Sequence, residues 1–302
     1  MFSSLIKKIK QTGLFYNIFF IFAAALLAAA IGFSLFVLAL PQLESLQDKN
    51  LINAKVFFIL RYYVSPFIPL IIAFVLLTRI IKKYNFITKT FWFDYQNNNF
   101  KWALIGLGFG FAANGLGVLV AVLNKNISLV FASENFLLIL LASAAVLIQS
   151  FTEEMMFRGF LFQAIAKAHK PWLGIILPAL VFSAAHFFNP GISTLGKINI
   201  FLIGAVFGLG AYYFKSFWWA VTFHAAWNFT QNFIFGLPNS GVFSQISVFK
   251  LKNSTDSLFY STSFGIEQSV TALAVEILLI AAIPLIASLQ KKRIIIEEKQ
   301  KN

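Results

Sequence analysis

The stretch LFYNIFFIFAAALLAAAIGFSLFVLAL, residues 14–40, contains no charged side chain. A helix needs about 20 consecutive apolar residues to cross a bilayer, because the hydrocarbon core is about 30 Å thick. This run is longer than that, and it is about twice as long as the apolar region of a typical secretory signal peptide. We therefore expect it to form a retained membrane-spanning helix.

The chain as a whole has the same apolar character. Of its 302 residues, 59% are hydrophobic and only 12% are charged. A soluble domain of this size could not bury so much apolar surface. The composition therefore predicts an integral membrane protein with an all-α fold. Because the sequence has no cysteine, it excludes disulfides, thiolate metal ligands and a thiol nucleophile.

Apolar runs of membrane-spanning length recur along the whole sequence. They predict a polytopic helical bundle with about eight transmembrane helices. The eight runs are 14–40, 56–80, 101–123, 136–166, 172–189, 198–214, 217–236 and 269–289.

The charges between these runs predict how the chain crosses the membrane. A net charge of +13 could indicate a nucleic-acid partner. Most of the basic residues, however, lie between the apolar runs, in loops that fall on one side of the membrane. Basic loops face the cytosol in multi-pass proteins, so we expect both termini to be cytosolic and no nucleic-acid partner. The expected surroundings are the lipid bilayer of a cell membrane, and the bias towards Phe, Ile, Lys and Asn suggests a bacterial one. The basic residues on the expected cytosolic side are Lys7, Lys8, Lys10, Arg79, Lys82, Lys83, Lys89, Lys167, Lys170, Lys215, Lys291, Lys292 and Arg293.

The opposite side is expected to carry fewer basic residues and one long polar segment. That segment, 237–268, is rich in Ser, Asn and Thr. The other polar residues expected on this side are Glu44, Asp48, Lys49, Lys125 and Glu134.

Ionisable or strongly polar residues inside the spans are rare, and they indicate where a site is located. A charge at the bilayer centre costs about 2.5–3.5 kcal/mol even on the lenient insertion scale. Each such residue should therefore face protein or water rather than lipid. The residues are Glu153, Glu154 and Arg158 in the fourth run, His186 in the fifth, His224 and Asn228 in the seventh, and Glu276 in the eighth.

Helical phase separates the two adjacent glutamates of the fourth run. Glu154 and Arg158 are four residues apart and share a face, so we expect them to form an ion pair. Glu153 points about 100° away from Glu154, with Gln149 one turn earlier on its side. A desolvated carboxylate without a cationic partner suits a general base. The alternative is a buried network that only fixes helix packing, which is the interpretation we favour for the lone Glu276.

The spacing of the spans predicts that these polar residues meet. The fourth and fifth runs are joined by a short basic turn near residues 169–170, so an antiparallel hairpin brings Glu153 and His186 to roughly equal height. His224 lies nine residues after Lys215 and shares a face with Asn228. We expect all of these residues in the cytosolic half of the bilayer.

Two further patterns support a site at this place. Gly204 and Gly208 have the small-xxx-small spacing that lets two helices pack closely. Gln231 and Asn232 continue the polar stripe of His224 by another turn.

Three short motifs occur in order on successive runs. They are EEMMFR from Glu153 to Arg158, FSAAH from Phe182 to His186, and HAAWN from His224 to Asn228. In these motifs the chain resembles the CPBP or Abi family of intramembrane proteases, which includes the type II CAAX prenyl endopeptidases. The resemblance covers residues 135–236. It divides the chain into N-terminal spans at 1–134, the protease core at 135–236, and a polar loop, last span and basic tail at 237–302.

The resemblance implies a role for each motif residue. Glu153, with His186, would activate a water molecule for attack on a peptide carbonyl. His224 and Asn228 would stabilise the oxyanion, and Glu154 with Arg158 would be the supporting pair. The implied substrate is a membrane-associated protein or peptide. Prenyl processing in particular is not predicted, because many bacterial relatives are associated with bacteriocin self-immunity or peptide maturation.

Other chemistries are less well supported by the sequence. Glu153, His186 and His224 would form a sufficient zinc set, but another group would then have to serve as base, and no His-Glu-x-x-His helix is present. We therefore favour a mechanism without a cofactor. The nucleophile motif Gly-x-Ser-x-Gly and the aspartyl motif Gly-x-Gly-Asp do not occur. A non-catalytic transporter or scaffold could use the same buried polar residues for binding or helix packing.

Overall fold

The computed structural model of the chain describes residues 14–93, 95–132 and 134–301, with side chains described from 17 to 291. It is a mainly helical structure, and every apolar run predicted as a span forms a helix. Six helices in the described part are long and apolar enough to cross a membrane. The other two predicted spans are shorter, so the number of eight stays a prediction, although the chain is a multi-pass membrane protein.

The described residues form the following elements in chain order. The α-helices are α1 Leu14–Asp48, α2 Ala54–Ile59, α3 Phe67–Ile80, α4 Phe100–Leu123, α5 Phe136–Glu154, α6 Phe162–Ala168, α7 Pro171–Ala185, α8 Thr194–Tyr213, α9 Phe217–Phe229 and α10 Val270–Lys301. Three π-helical segments are Leu60–Val64, Met155–Leu161 and Thr230–Ile234. Two 3₁₀ segments are Lys82–Phe91 and Ile266–Gln268.

Side chains with short polar groups mark where the membrane helices begin. The first backbone N–H groups of a helix have no partner within it, and an Asn or Ser side chain just before the helix can accept from one of them. Asn99 does so for α4, Asn135 for α5, Ser193 for α8 and Ser216 for α9. Pro171 begins α7, where the missing N–H of proline is tolerated.

The prediction of an all-α fold is wrong in one detail. Strands β1 Ile127–Phe131 and β2 Phe249–Ser254 pair as an antiparallel two-stranded sheet. Both strands lie in polar connections outside the helices, where hydropathy carries little information about secondary structure. The sheet joins the loop before α5 to the polar segment 237–268, so these two connections lie at the same end of the bundle, as the sequence predicts.

Small residues let the site helices approach one another. Gly204 of α8 packs against Ala179 of α7, where an added Cβ would lie 3.2 Å from the Ala179 Cα atom. Gly208 packs one turn later against Ile175. The predicted small-xxx-small contact is therefore confirmed as the interface between α7 and α8.

The outer surface of the bundle is apolar. Leu26, Leu38, Phe136 and Leu278 are between 67% and 79% exposed, which is expected of side chains that face lipid. The bundle interior instead buries polar residues together with aromatic rings. The orientation of the chain in the bilayer stays a prediction, and Lys7, Lys8 and Lys10, on which it partly rests, lie outside the described residues.

Candidate active site

A cavity of about 230 Å³ lies inside the bundle, between α5, α7, α8 and α9. All four residues predicted to be catalytic line it. The rest of its wall contains aromatic and aliphatic side chains, a mixture that is typical of sites for organic ligands. The polar residues of the wall are Gln149, Glu153, His186, Asn189, Asn199, His224, Asn228, Asn239, Ser240, Glu267 and Glu276.

The predicted ion pair beside this cavity is confirmed. Arg158 donates from Nη1 to Oε1 of Glu154 at 2.9 Å, and both side chains are fully buried. The second guanidinium nitrogen donates to the carbonyl oxygen of Gly204 at 2.8 Å. The rings of Phe182 and Phe207 lie 4.9 and 5.0 Å from the guanidinium carbon. Arg158 therefore links α5, α7 and α8 behind the wall of the site.

Glu154 has a second partner, which the sequence did not indicate. The Nδ1 atom of His224 lies 2.9 Å from Oε1 of Glu154. Because an ionised carboxylate only accepts hydrogen bonds, Nδ1 is the protonated nitrogen of the ring. His224 also stacks on Phe207, with ring centroids 5.2 Å apart. Glu154 is thus a positioning residue that fixes both the tautomer and the orientation of His224.

Glu153 faces the cavity, and His224 is the motif histidine that lies within ion-pair distance of it. Its Oε2 atom lies 3.8 Å from Nε2 of His224. Gln149 donates from Nε2 to its other oxygen at 3.3 Å, which confirms the predicted neighbour one turn earlier. The Glu153 side chain remains 16% exposed, whereas that of Glu154 is 0% exposed. The helical-phase argument therefore separates the two glutamates correctly.

His186 does not contact Glu153 as the hairpin argument suggested. It follows the last residue of α7, and its Nδ1 atom lies 2.7 Å from the carbonyl oxygen of Phe182. Among the described residues, no hydrogen bond or ion pair joins His186 to Glu153. Both side chains line the cavity, so a molecule that contacts both must lie between them.

The expected position of His186 in the cytosolic half of the bilayer stays a prediction. At 1.5 Å per residue, the 15 residues of α7 place His186 about 22 Å from the basic turn that precedes this helix. The cavity wall also includes Asn189, Asn239 and Ser240 from the opposite end of the bundle. The π-helical segment Met155–Leu161 lies between Glu153 and the turn, and it winds more residues into a turn than the α-helix that the hairpin argument assumed, so it changes the position of Glu153 relative to His186.

Asn228 presents a hydrogen-bond donor to the cavity. Its Oδ1 atom accepts from Nδ2 of Asn239 at 3.2 Å. Its own Nδ2 has no acceptor among the residues that the structure describes. Asn239 also donates to Oε1 of Glu267 at 3.2 Å. Asn239 and Glu267 therefore act as positioning residues that hold the amide of Asn228 with its N–H groups free.

Gln231 and Asn232, the rest of the predicted polar stripe, bond to the backbone instead of facing the cavity. Gln231 donates to the carbonyl oxygen of Pro238 at 2.6 Å, and Asn232 donates to that of Leu237 at 3.0 Å. These bonds anchor the connection that follows α9. Gln231 and Asn232 do not line the cavity, so the stripe divides into a part that faces the site and a part that supports it.

Glu267 is a site residue that the sequence analysis missed. Its carboxylate accepts from the backbone N–H of Ser240 at 2.6 Å and from the Ser240 hydroxyl at 3.1 Å. Burial raises the pKa of Glu267 to about 7, although the bonds from Ser240 act in the opposite direction. The only signal in the sequence was that Asp256 and Glu267 are the two acidic residues of the segment 237–268.

Replacing Glu267 with glutamine is expected to make the stability of the protein less dependent on pH. In the folded protein this carboxyl keeps its proton up to about pH 7, whereas at its ordinary value of 4.5 it ionises in the unfolded chain. As the pH rises above 4.5, the carboxyl ionises in the unfolded chain but not yet in the folded one, which stabilises the unfolded state. The free energy of unfolding of the wild type therefore falls between pH 4.5 and about 7. Glutamine does not titrate. Thermal unfolding in detergent at the two ends of this range measures the difference.

Glu134→Gln is the matched control for this experiment. A hydrogen bond from Lys55 lowers the pKa of Glu134, so its contribution to stability is lost only as the pH falls below the ordinary value. The control should keep the wild-type slope between the two pH values. An unchanged slope in Glu267→Gln would contradict the environment assigned to Glu267.

The described side chains do not form a ready metal site. No group of three or more His, Cys, Asp or Glu residues in the described part of the chain is arranged to hold a metal ion. Glu153, His186 and His224 line one cavity, but they do not converge on a common point. The zinc alternative would require these side chains to move towards one another.

The fold and the site together define a class of protein. It is a helical membrane bundle whose internal cavity is lined by a carboxylate, two histidines and an amide. Residues 135–230 match the family model described as type II CAAX prenyl endopeptidase Rce1-like. This match confirms the resemblance to the CAAX protease family, and it supports a peptidase. No curated protein and no solved structure matches the chain significantly.

Proposed function

We propose that this chain is an intramembrane endopeptidase that hydrolyses a peptide bond of a membrane-associated protein or peptide. The observation that carries the proposal is that Glu153, His186, His224 and Asn228 share one cavity within the bundle. All four lie inside the segment that matches the family. An amide bond is very stable in water, so its hydrolysis requires both an activated water molecule and stabilisation of the developing oxyanion.

Glu153 is the proposed base. It is the carboxylate of its motif that reaches the cavity, and Gln149 holds one oxygen while the other faces His224. Glu153 accepts a proton from water as the water oxygen bonds to the substrate carbonyl carbon. It then returns this proton to the leaving nitrogen as the C–N bond breaks. His186, at the end of α7, contacts the same space and can exchange protons with the water or the leaving group.

His224 and Asn228 are the proposed oxyanion donors. Nδ1 of His224 is committed to Glu154, so the ring donates to substrate only when Nε2 is protonated as well. A protonated His224 with Arg158 balances the charges of Glu153 and Glu154, and the four-residue cluster is then neutral. Asn228 supplies its free N–H groups from the same helix face, one turn further along α9.

The proposal is tested with purified protein and a library of quenched fluorescent peptides, in the presence and absence of a chelator. Cleavage that is insensitive to the chelator is expected. If activity is lost on chelation and restored by zinc, a metal ion rather than the Glu153 carboxylate activates the water. A transporter or scaffold would yield no cleaved product from any peptide.

Asn228→Ala is expected to lower kcat by about 10²–10³-fold with little change in KM, as for the loss of one oxyanion donor. The reason is that the Asn228 N–H groups bind charge that develops only in the transition state. Steady-state kinetics on the best library peptide measure the effect. Asn124→Ala is the matched control, because the Asn124 side chain bonds, among the described residues, only to the Val120 carbonyl at the end of α4. Equal kcat values in wild type and Asn228→Ala would remove Asn228 from the mechanism.

A further inference from the structure

One wall of the cavity carries hydrogen-bond acceptors that have no donor. Glu276 of α10 is 2% exposed and lines the cavity. Neither oxygen of its carboxyl group has a hydrogen-bond partner among the described residues, and Oε2 is fully buried. A buried polar group without a partner is destabilising, so this arrangement indicates that a donor arrives from elsewhere.

Asn199 of α8 repeats this arrangement beside Glu276. It donates from Nδ2 to the backbone carbonyls of Glu267 and Ser269, each at 2.9 Å. These bonds fix the side chain and tie α8 to the start of α10. The Oδ1 atom of Asn199 is buried and has no donor within the described part of the chain. Asn199, Glu267 and Glu276 all line the cavity, and we call these three residues the acidic wall.

The hydrogen-bond acceptors around the cavity favour a cationic donor at this wall. Three carboxyl groups line the cavity, those of Glu153, Glu267 and Glu276. The described lining residues include no lysine or arginine. Arg158 lies behind the wall, where it bonds to Glu154 and Gly204. A positive group that enters this cavity therefore meets several acceptors at this wall and no lysine or arginine of the described lining.

The kind of cation follows from the geometry and from the donors required. No three acidic or histidine side chains among the described residues are arranged to hold a metal ion. A lysine ammonium instead offers three N–H donors and an arginine guanidinium offers five, each at the end of an apolar stem. The stem suits the aromatic and aliphatic part of the cavity, and the head suits the acceptors of the acidic wall.

We infer that the acidic wall is a substrate-binding subsite for a cationic nitrogen, and that this protein cleaves beside a lysine or arginine. The inference rests on the proposed peptidase function and adds a substrate class to it. The amino terminus of a peptide has the same chemistry as a lysine head group. The experiment therefore separates an internal side chain from a free terminus.

The experiment compares peptides that differ at one position only. A library peptide that is cleaved is prepared with lysine, norleucine or acetyl-lysine at each position near the cut, with the amino terminus free or acetylated. Wild-type protein is expected to cleave the lysine peptide with a kcat/KM about 10- to 100-fold above that of the norleucine peptide, the range expected for hydrogen bonds to a buried charge. If only acetylation of the terminus matters, the bound cation is the amino terminus.

Variants then assign the preference to the wall. Glu276→Gln and Glu267→Gln should each lower the ratio of kcat/KM for lysine over norleucine towards one, whereas Glu134→Gln should leave it unchanged. If the wild-type ratio of kcat/KM for lysine over norleucine is near one and acetylation has no effect, the inference is overturned. Cleavage of the peptides would still uphold the proposed function. A preference that survives in both variants would also overturn it. No cleavage of any peptide would overturn the proposed function and this inference together.

Discussion

Replacing Glu153 with glutamine is expected to reduce peptide cleavage by about 10²–10⁴-fold, the range typical of a general base. Glutamine has the same shape as glutamate, and it can still meet Gln149 and face the cavity. It cannot accept a proton from water. Because Glu153 is partly exposed to the cavity and has no close cation apart from the ring of His224, its neutralisation should leave the fold intact.

The measurement is kcat/KM on the best library peptide, together with thermal unfolding of each protein in detergent. Glu134→Gln is the matched control, since Glu134, in the loop before α5, pairs with Lys55 of α2 and does not line the cavity. The control should retain full activity. If Glu153→Gln keeps activity close to the wild-type level while remaining folded, Glu153 is not the base.

Replacing Glu154 with glutamine is expected to have its main effect on stability. Arg158 is 1% exposed and has Glu154 as its only ion-pair partner among the described residues. Removing one member of a buried ion pair leaves an uncompensated charge and costs about 3–5 kcal/mol. His224 would at the same time have a neutral amide oxygen as its acceptor in place of a carboxylate. The adjacent substitutions Glu153→Gln and Glu154→Gln should therefore differ sharply, the first in activity and the second in thermal unfolding temperature and folded yield.

A second variant separates charge from shape at this pair. Arg158→Met in the Glu154→Gln background removes the stranded charge and keeps a long apolar side chain. Replacing a buried pair with well-packed apolar groups is often neutral or stabilising. The double variant is therefore expected to be more stable than Glu154→Gln alone. If Glu154→Gln unfolds at the wild-type temperature, the buried pair does not stabilise the fold.

Contacts within one helix could be predicted from the sequence. Helical phase gives the Glu154–Arg158 pair and the contact of Gln149 with Glu153, because residues four apart on a helix are always neighbours. Residue size similarly gives the close approach of Gly204 to α7. These predictions need only the regular geometry of a single element or a single packing preference.

Contacts between helices could not be predicted in the same way. The bond from His224 to Glu154 joins α9 to α5, and its distance depends on the rotation of both helices. The position of Glu153 relative to His186 depends on the π-helical segment Met155–Leu161, which hydropathy does not detect. Glu267 reaches the cavity from a connection whose composition indicates only a polar loop. Such positions are set by tertiary packing, which the sequence alone does not specify.

Asn239 bonds to both Asn228 and Glu267, so the candidate site extends beyond the three motifs. The segment that matches the family ends at residue 230, before Asn239, Glu267 and Glu276. Asn239 and Glu267 orient a proposed oxyanion donor, and Glu267 and Glu276 belong to the acidic wall. On the proposed mechanism, the three motifs would supply the reacting groups, while the chain after them would supply orientation and part of the proposed selectivity. Relatives with the same motifs and a different C-terminal third would keep the reaction and differ in which peptide they accept.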